Sequence, residues 1–192
     1  MKPLILASQS PRRKQLLEQV QLPFSIQVSH VDETVDPNDN PADMVASLAF
    51  QKADAVFKNN KDHVVLGADT IVAIDGEVLG KPKDAQEAKE MLRQLSGSQH
   101  QVLTGVAILS KDHHVTFVEK ADVLFYPLTE DEITTYVATG EPFDKAGAYG
   151  IQGIGATLVE KIHGDYFSIV GLPISKVVRA LKKFHITTDH SQ

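Results

Sequence analysis

Short apolar runs alternate along this chain with segments in which apolar residues recur every three or four positions. Leu4–Ala7 and His63–Ala68 are apolar runs bounded by turn residues, which is typical of buried strands. Arg12–Val20 and Asn40–Phe57 carry their apolar residues at helical spacing, and Ser10 and Asn40 stand where helix caps are expected. Strands that alternate with helices restrict the chain to an α/β or mixed α+β fold.

Turn and capping signals delimit the other elements. Asp75-Gly76 predicts a hairpin turn between strands Ile71–Ile74 and Glu77–Leu79. Thr129 and Glu132 form a capping-box pattern at the start of a helix. The remaining predicted elements are a strand over Phe24–Val28, a helix over Asp84–Leu95 with Ala85 facing inward, long paired strands over Val102–Leu109 and Val115–Phe125, a strand over Leu158–Ile162 and a helix over Pro173–Phe184. Polar loops recur at strand ends, which favours a cleft between two lobes.

Composition excludes several classes of function. The 192 residues suit a single domain over 1–192, with a flexible tail expected from about 186 to 192. A formal charge of −6 argues against a general nucleic-acid binder. The chain has no Cys, which excludes disulfides, thiolate metal sites and a cysteine nucleophile. The apolar run at Leu4–Ala7 is too short for a signal peptide or a membrane span, so we expect a cytoplasmic protein.

The first candidate site lies where the first helix is predicted to begin. Ser8 and Ser10 supply hydroxyl groups, and the free N–H groups of a helix start attract anions. Arg12 and Arg13 follow at once, although cations in a first helical turn oppose the helix dipole. The pattern favours phosphate binding, and a capped helix with solvated arginines is the alternative interpretation.

Acidic candidates follow a predicted strand and occupy a polar loop. Asp69 comes directly after the apolar run His63–Ala68, and the carboxyl ends of strands are where α/β proteins bind ligands. A carboxylate there can hold Mg²⁺ or accept a proton from water. Asp32 and Glu33 lie in the loop His30–Asn40. The alternatives are a turn cap for Asp69 and a solvated surface for the loop.

Two lysines and a glycine-rich segment complete the candidates. Lys52 falls on the same helical face as apolar residues, and Lys81 lies between Gly80 and Pro82 in a rigid turn. Either ammonium group could neutralise charge on a phosphate, with snorkelling to water as the alternative for Lys52. Gly147–Gly155 lacks the GxxxxGK[ST] phosphate-loop pattern. It could shape a base pocket that contains Gln152, or be a flexible turn.

Taken in chain order, these segments resemble the Maf family over nearly the whole chain. The matching segments are Ala7–Arg13 (ASQSPRR), Asp32–Thr34 (DET), Lys52-Ala53, Gly67–Thr70 (GADT), Leu79–Pro82 (LGKP), Thr104–Val106 (TGV), Asp144–Gly153 (DKAGAYGIQG), Gly164–Tyr166 (GDY) and Val170–Pro173 (VGLP). Each motif alone is weak, but the ordered set is highly specific. Asp165 departs mildly from the pattern, since a small residue more often stands there.

The resemblance implies a fold similar to that of the inosine-triphosphate pyrophosphatases, with an elongated mixed sheet, flanking helices and a substrate cleft between two lobes. It implies hydrolysis of a nucleoside triphosphate between its α- and β-phosphates, assisted by Mg²⁺ or alternatively Mn²⁺. It also implies homodimers in several members and an association with arrest of cell division and septum formation.

The resemblance also implies roles for individual residues. Ser8, Arg12 and Arg13 would bind phosphates. Glu33 and Asp69 would serve the metal and the water, with Asp69 as the proton acceptor. Lys52 and Lys81 would stabilise the developing charge, and Thr70 and Gln152 would select the base. The AGAYGIQG stretch is similar to the branch that prefers dTTP and UTP. Two alternatives stay open: the same chemistry on purine or modified nucleotides, and a nucleotide-binding regulator of septum formation that acts through a protein partner.

Overall fold

The structure is a computed structural model that describes residues 2–28 and 32–188. Within these residues the strands are β1 (Leu4–Leu6), β2 (Ser25–Ile26), β3 (Val64–Ile74), β4 (Glu77–Leu79), β5 (Gln99–Leu109), β6 (His114–Phe125) and β7 (Val159–His163). The α-helices are α1 (Pro11–Gln19), α2 (Pro41–Phe57), α3 (Ala85–Leu95), α4 (Glu130–Ala138), α5 (Tyr166–Val170) and α6 (Ile174–Leu181). Short 3₁₀ helices lie at Glu141–Asp144, Ala146–Ala148, Ile154–Leu158 and Lys182–Phe184.

The strands form one mixed sheet in the order β2-β1-β3-β5-β6-β7, with β4 paired to β3. Strand β1 is parallel to both β2 and β3, whereas β4 is antiparallel to β3 and β7 is antiparallel to β6. The β3–β4 hairpin turns at Asp75 and Gly76, which both have positive φ, as a tight turn of this kind requires. The predicted mixed α/β fold with helices beside the sheet is confirmed.

The chain divides into two compact units. Unit 1 comprises Met1–Asp69, Thr104–Glu119 and Gly171–Gln192, and unit 2 comprises Thr70–Leu103 and Lys120–Val170. Compact units and independent domains are different properties, so the single domain over 1–192 stays a prediction. So does the cleft. No helix in the described part of the chain combines the length and the apolar character that a membrane crossing needs.

The predicted helix starts are confirmed. The side chains of Ser10, Asn40 and Asp84 each accept a hydrogen bond from the backbone N–H three residues on. Helix α4 has the complete capping box, in which Thr129 and Glu132 satisfy each other's backbone N–H groups. These caps fix the first turns of the helices, where free N–H groups would otherwise stay unsatisfied.

Several boundaries differ from the predictions. Asp69 lies inside β3, which continues through it to Ile74, so it does not follow the end of a strand. Ala85 is exposed although a position facing inward was predicted. The described C-terminal region, which reaches only to residue 188, adds α5 and ends α6 at Leu181 before a 3₁₀ turn. Helix α5 is one turn long, so it shows no hydrophobic periodicity in the sequence. The end of α6 at Leu181 also has no signal in the hydrophobic pattern.

Three other predicted segments are shorter in the structure or only partly described by it. The predicted strand Phe24–Val28 shrinks to the two exposed residues of β2. Of the predicted loop His30–Asn40, His30 and Val31 lie outside the described residues. In the predicted tail, Ile186 is buried, while 189–192 also lie outside the described residues. The flexibility of the tail stays a prediction.

Helix α2 packs against the sheet of unit 1 through two glycines. A Cβ on Gly67 would lie 2.6 Å from the carbonyl oxygen of Ala49 and 2.8 Å from the amide nitrogen of Ala53. A Cβ on Gly105 would clash with the carbonyl group of Val45. Because no side chain separates these backbones, the helix lies close to β3, and this closeness decides what the polar residues of α2 can reach.

Candidate active site

Three charged side chains of unit 1 meet in what we call the carboxylate–lysine group, composed of Glu33, Lys52 and Asp69. The Nζ of Lys52 donates a short hydrogen bond to Oδ1 of Asp69 and lies 3.2 Å from Oε1 of Glu33. Asp69 is 16% exposed and Lys52 is 23% exposed, whereas Glu33 is 42% exposed. A loop, a helix and a strand thus deliver three predicted site residues to one place.

The geometry of α2 explains why Lys52 points at Asp69. Lys52 lies beside Ala49 and Ala53, the two residues whose backbones approach Gly67. Gly67 is two residues before Asp69, and side chains of a strand alternate between its faces, so both positions address the same face of β3. The small residues therefore bring the lysine stem against the strand face that carries the carboxylate. The alternative of a lysine that snorkels to water is wrong.

The carboxylate–lysine group is short of positive charge. Its two carboxylates and one ammonium have a formal charge of −1, and the charge of Arg13 also acts on Asp69. Partial burial strengthens electrostatic interactions because the surrounding protein is less polarisable than water. Carboxylate oxygens of this kind can bind a cation or accept a hydrogen bond from water.

The predicted phosphate-binding residues lie in helix α1 and just before it. Arg13 is buried; its Nε donates to the carbonyl oxygen of Gly171 at 2.8 Å, and its Nη1 donates to Oγ of Ser8 at 3.2 Å. Burial lowers the pKa of Arg13, and the charge of Asp69 opposes that change. Arg12 is only half-buried. The structure therefore brings Ser8 and Arg13 together and leaves Arg12 nearer to solvent.

The other predicted site residues belong to unit 2. Thr70 is half-buried in β3, and Lys81 and Gln152 are exposed. The N–H of Gly147 donates to the carbonyl oxygen of Gly80 at 3.0 Å, which ties the turn that contains Lys81 to the glycine-rich segment. Lys81 thus extends from a turn whose position is fixed by the segment that also carries Gln152.

Sequence reasoning missed Glu141, which organises the glycine-rich segment. Its Oε1 accepts hydrogen bonds from the hydroxyl of Tyr136 and the N–H of Gly155, each at 2.9 Å, and its Oε2 accepts one from the N–H of Ile154 at 3.0 Å. Burial acts to raise the pKa of Glu141, but these hydrogen bonds outweigh burial and lower it. Two N–H groups of the segment are thus already occupied by a carboxylate of the protein. These hydrogen bonds argue against the alternative interpretation as a flexible turn.

A second contact holds the start of the same segment. The hydroxyl of Tyr149 lies 2.7 Å from Nε2 of His100, and both rings pack edge-on against Phe125. All three side chains are buried, and burial lowers the pKa of His100 to about 4. A neutral imidazole and a phenol therefore form a hydrogen bond inside the core of unit 2. Nothing in the sequence signalled it, because neither residue shows a metal or catalytic spacing.

The residues of unit 1 fit a divalent cation that is shared with a substrate. Across residues 2–28 and 32–188, no three His, Asp or Glu side chains come together as a metal site. Glu33 and Asp69 nevertheless supply carboxylate oxygens that contact the same ammonium group. Magnesium is commonly held by one or two carboxylates together with substrate phosphates and water, rather than by a complete protein cage. The donor set fits that mode of binding.

Comparison with known proteins adds three findings. The model of a family described as "Maf-like protein" matches residues 3–184. Proteins named dTTP/UTP pyrophosphatase from Bacillus cereus (strain ATCC 14579) and from Bacillus anthracis are each 58% identical over 191 residues, which is 100% of this chain and 100% of each relative. The Ham1 protein of Staphylococcus aureus aligns with a TM-score of 0.45 and 15% identity over 77% of this chain and 85% of that one. A TM-score this low supports no conclusion, so the fold rests on the strands and helices above.

Proposed function

Because this chain belongs to the Maf family, whose model matches residues 3–184, we propose that it is a pyrophosphatase of dTTP and UTP. The observation that carries the proposal is the 58% identity over full length to proteins that bear this name. The reaction is hydrolysis of the bond between the α- and β-phosphates. Its products are the nucleoside monophosphate and pyrophosphate.

Asp69 is the proposed proton acceptor. A water oxygen attacks the α-phosphorus, the bond to the bridging oxygen of the β-phosphate breaks, and the proton of the water passes to the Asp69 carboxylate. The hydrogen bond from Lys52 supports this role because it holds the carboxylate in one orientation. The same ammonium is placed to offset negative charge that builds on the phosphates in the transition state.

Glu33 and Asp69 are the residues proposed to hold a divalent cation, with Mg²⁺ expected and Mn²⁺ as the alternative. Such a cation, when bound, polarises phosphate oxygens and lowers the pKa of a coordinated water. Glu33 is the more exposed of the two carboxylates, so it can turn toward an arriving cation, while Asp69 is fixed by Lys52.

The arginines and Ser8 are proposed to hold the phosphates. Arg12, which is half-buried, suits direct contact with phosphate oxygens. Arg13 uses its guanidinium to hold Gly171 and Ser8. We therefore propose that Arg13 positions Gly171 and Ser8 at least as much as it contacts the phosphates directly.

The roles proposed for the remaining site residues rest on the family resemblance. Lys81 would offset the charge of the departing pyrophosphate, since its exposed ammonium is a mobile point charge. Thr70 and Gln152 would select the base through hydrogen bonds. A cytoplasmic location, a homodimer and a link to septum formation belong to the same proposal and rest on the family resemblance.

The experiment is pyrophosphate release by the purified protein with Mg²⁺ and a panel of dTTP, UTP, CTP, GTP, 7-methyl-GTP and ITP. We expect fast release from dTTP and UTP. Release from purines alone would keep the reaction and overturn the proposed role of Gln152. Failure to release pyrophosphate from any of them would favour the regulator that acts through a protein partner.

A further inference from the structure

The Glu141 carboxylate is linked to the backbone of the glycine-rich segment on both sides of Gln152. Its carboxylate receives the N–H groups of Ile154 and Gly155, and it also receives the hydroxyl of Tyr136. That hydroxyl in turn accepts a hydrogen bond from the N–H of Gly150 at 3.1 Å. Gln152 therefore lies between two points of the backbone that are tied, directly or through Tyr136, to one carboxylate.

The glycines of this segment stand where the backbone comes closest to Glu141 and its neighbours. A Cβ on Gly153 would lie 2.7 Å from Oε2 of Glu141, and Gly153 has a φ of +71°. A Cβ on Gly155 would lie 2.7 Å from the hydroxyl of Tyr136. A Cβ on Gly150 would lie 2.6 Å from Cε of Lys145. The glycine spacing is therefore a consequence of how tightly the segment wraps these side chains.

Lys145 links the backbone of Glu141 to the glycine-rich segment. Its Nζ donates to the carbonyl oxygen of Glu141 at 2.8 Å and to Oδ1 of Asp144 at 2.7 Å, while its stem packs against Gly150. Glycine-rich backbone loses more conformational freedom than any other when it is ordered. Such a dense set of contacts is needed to hold it in one conformation.

Holding Gln152 matters because an amide side chain can either donate or accept a hydrogen bond. Thymine and uracil present an oxygen acceptor at position 4 of the ring, whereas cytosine presents an amino donor there. An amide that turns freely can satisfy either base. A fixed backbone limits the positions from which the amide can meet the base, and so favours discrimination between the two bases.

We propose that Glu141 is a positioning residue for base selection: it fixes the backbone from Gly150 to Gly155, and with it the point from which the Gln152 side chain reaches the base. This inference rests on the proposed function, in which Gln152 contacts the base. It assigns Glu141 no contact with the nucleotide. It separates two jobs in the protein, since the chemistry depends on the carboxylate–lysine group and the choice of base depends on Glu141.

The test uses Glu141→Gln, which keeps the size of the side chain but turns one hydrogen-bond acceptor into a donor that faces other donors. The measurements are kcat and KM for dTTP and dCTP, and amide hydrogen exchange at Ile154 and Gly155 by NMR. Since a hydrogen bond to a charged group is worth on the order of a tenfold effect, we expect the ratio of kcat/KM for dTTP over dCTP to fall roughly tenfold. The fall should come from KM for dTTP, with kcat within about threefold of wild type.

Two further variants complete the design. Tyr136→Phe removes one hydroxyl from the network and should give a smaller change in the same direction, which keeps the inference testable if Glu141→Gln does not fold. Glu130→Gln is the matched control, because Glu130 is an exposed carboxylate of unit 2 that bonds to Arg93. It should leave both kinetic constants and both exchange rates unchanged.

The outcomes separate this inference from the proposed function. Faster exchange together with weaker discrimination would support the role of Glu141. Faster exchange with unchanged discrimination, or an equal loss of kcat/KM for both nucleotides, would overturn that role while the proposed function stands. A wild-type protein that hydrolyses neither nucleotide would overturn the proposed function itself.

Discussion

In unit 1 the Asp69 carboxylate contacts a side-chain ammonium, whereas in unit 2 the Glu141 carboxylate accepts hydrogen bonds from two backbone amides and a phenol. The first arrangement combines two carboxylates and one ammonium from a loop, a helix and a strand. The second uses its carboxylate to order a loop of the same unit. A carboxylate near a glycine-rich loop can therefore be structural, while a carboxylate paired with lysine inside a strand is the one to test for chemistry.

The largest expected effect comes from removing the charge of Lys52. In Lys52→Met the side chain keeps its length, and the rate should fall by on the order of 10²- to 10³-fold, as for other groups that stabilise transition-state charge. Pyrophosphate release from dTTP measures it. Lys58→Met, at the C-terminal cap of the same helix and in an ion pair with Asp54, is the control and should keep its rate. Normal turnover by Lys52→Met would remove the contrast between the two carboxylates.

A pH-dependent loss of stability should come from unit 2. The folded pKa of His100 is about 4 and its ordinary value is 6.5, so between these values the unfolded chain binds a proton that the folded chain does not. The contribution of His100 to stability is therefore complete above pH 6.5 and is lost as the pH falls toward 4. It amounts to about 3 kcal/mol, because each pH unit is worth roughly 1.4 kcal/mol.

Denaturant unfolding of wild type and His100→Gln across pH 4 to 7.5 measures this loss. The variant cannot titrate at this position, so its stability should fall less steeply with acid. His113→Gln replaces an exposed histidine and should follow the wild-type slope. Parallel curves for wild type and His100→Gln would show that the buried imidazole is protonated as easily in the folded state as in the unfolded one.

Widening the gap between α2 and β3 should disturb unit 1 through packing. The Cβ of Gly67→Ala would lie 2.6 Å from a backbone oxygen, so the helix must move away from the strand. Overpacking of this kind costs about 1–3 kcal/mol of the free energy of unfolding. The rate should fall too, since Lys52 moves with the helix. Gly80→Ala, whose Cβ meets no described atom within 4 Å, is the stability control.

The smallest effect should come from the ion pair between Arg93 and Glu130. Both side chains are well exposed, so the pair contributes little even though its geometry is bidentate. Arg93→Gln should shift the thermal midpoint only slightly at low salt, and 1 M NaCl should abolish the difference. A large loss at high salt would contradict the ranking of this pair below the partly buried Lys52–Asp69 pair.

Local signals in the sequence predicted the helices well, and the same signals could not predict the Glu141 network. Ser10, Asn40, Asp84 and Thr129 are caps that act within four residues, so each could be recognised from its neighbours alone. Glu141 receives hydrogen bonds from residues 13 and 14 positions away, at the start of a 3₁₀ helix. No periodicity marks such a contact.

The sequence predicted which residues belong to the candidate site, but it did not predict how they are arranged. The charged residues Glu33, Lys52 and Asp69 were chosen from the sequence, and the structure brings them together. The position of Asp69 was wrong, because polar Asp69 and Thr70 interrupt the apolar pattern of β3 without ending the strand. Backbone pairing with neighbouring strands continues through polar residues, and a hydropathy pattern does not report it.

The most direct test of the central claim is the rate of pyrophosphate release from dTTP by Asp69→Asn, with Asp54→Asn on helix α2 as the control. If Asp69 accepts the proton of the attacking water, its amide variant should lose on the order of 10²-fold or more in kcat, while Asp54→Asn stays near wild type. A variant Asp69→Asn that folds and turns over dTTP at the wild-type rate would contradict the assignment of the carboxylate–lysine group as the catalytic centre.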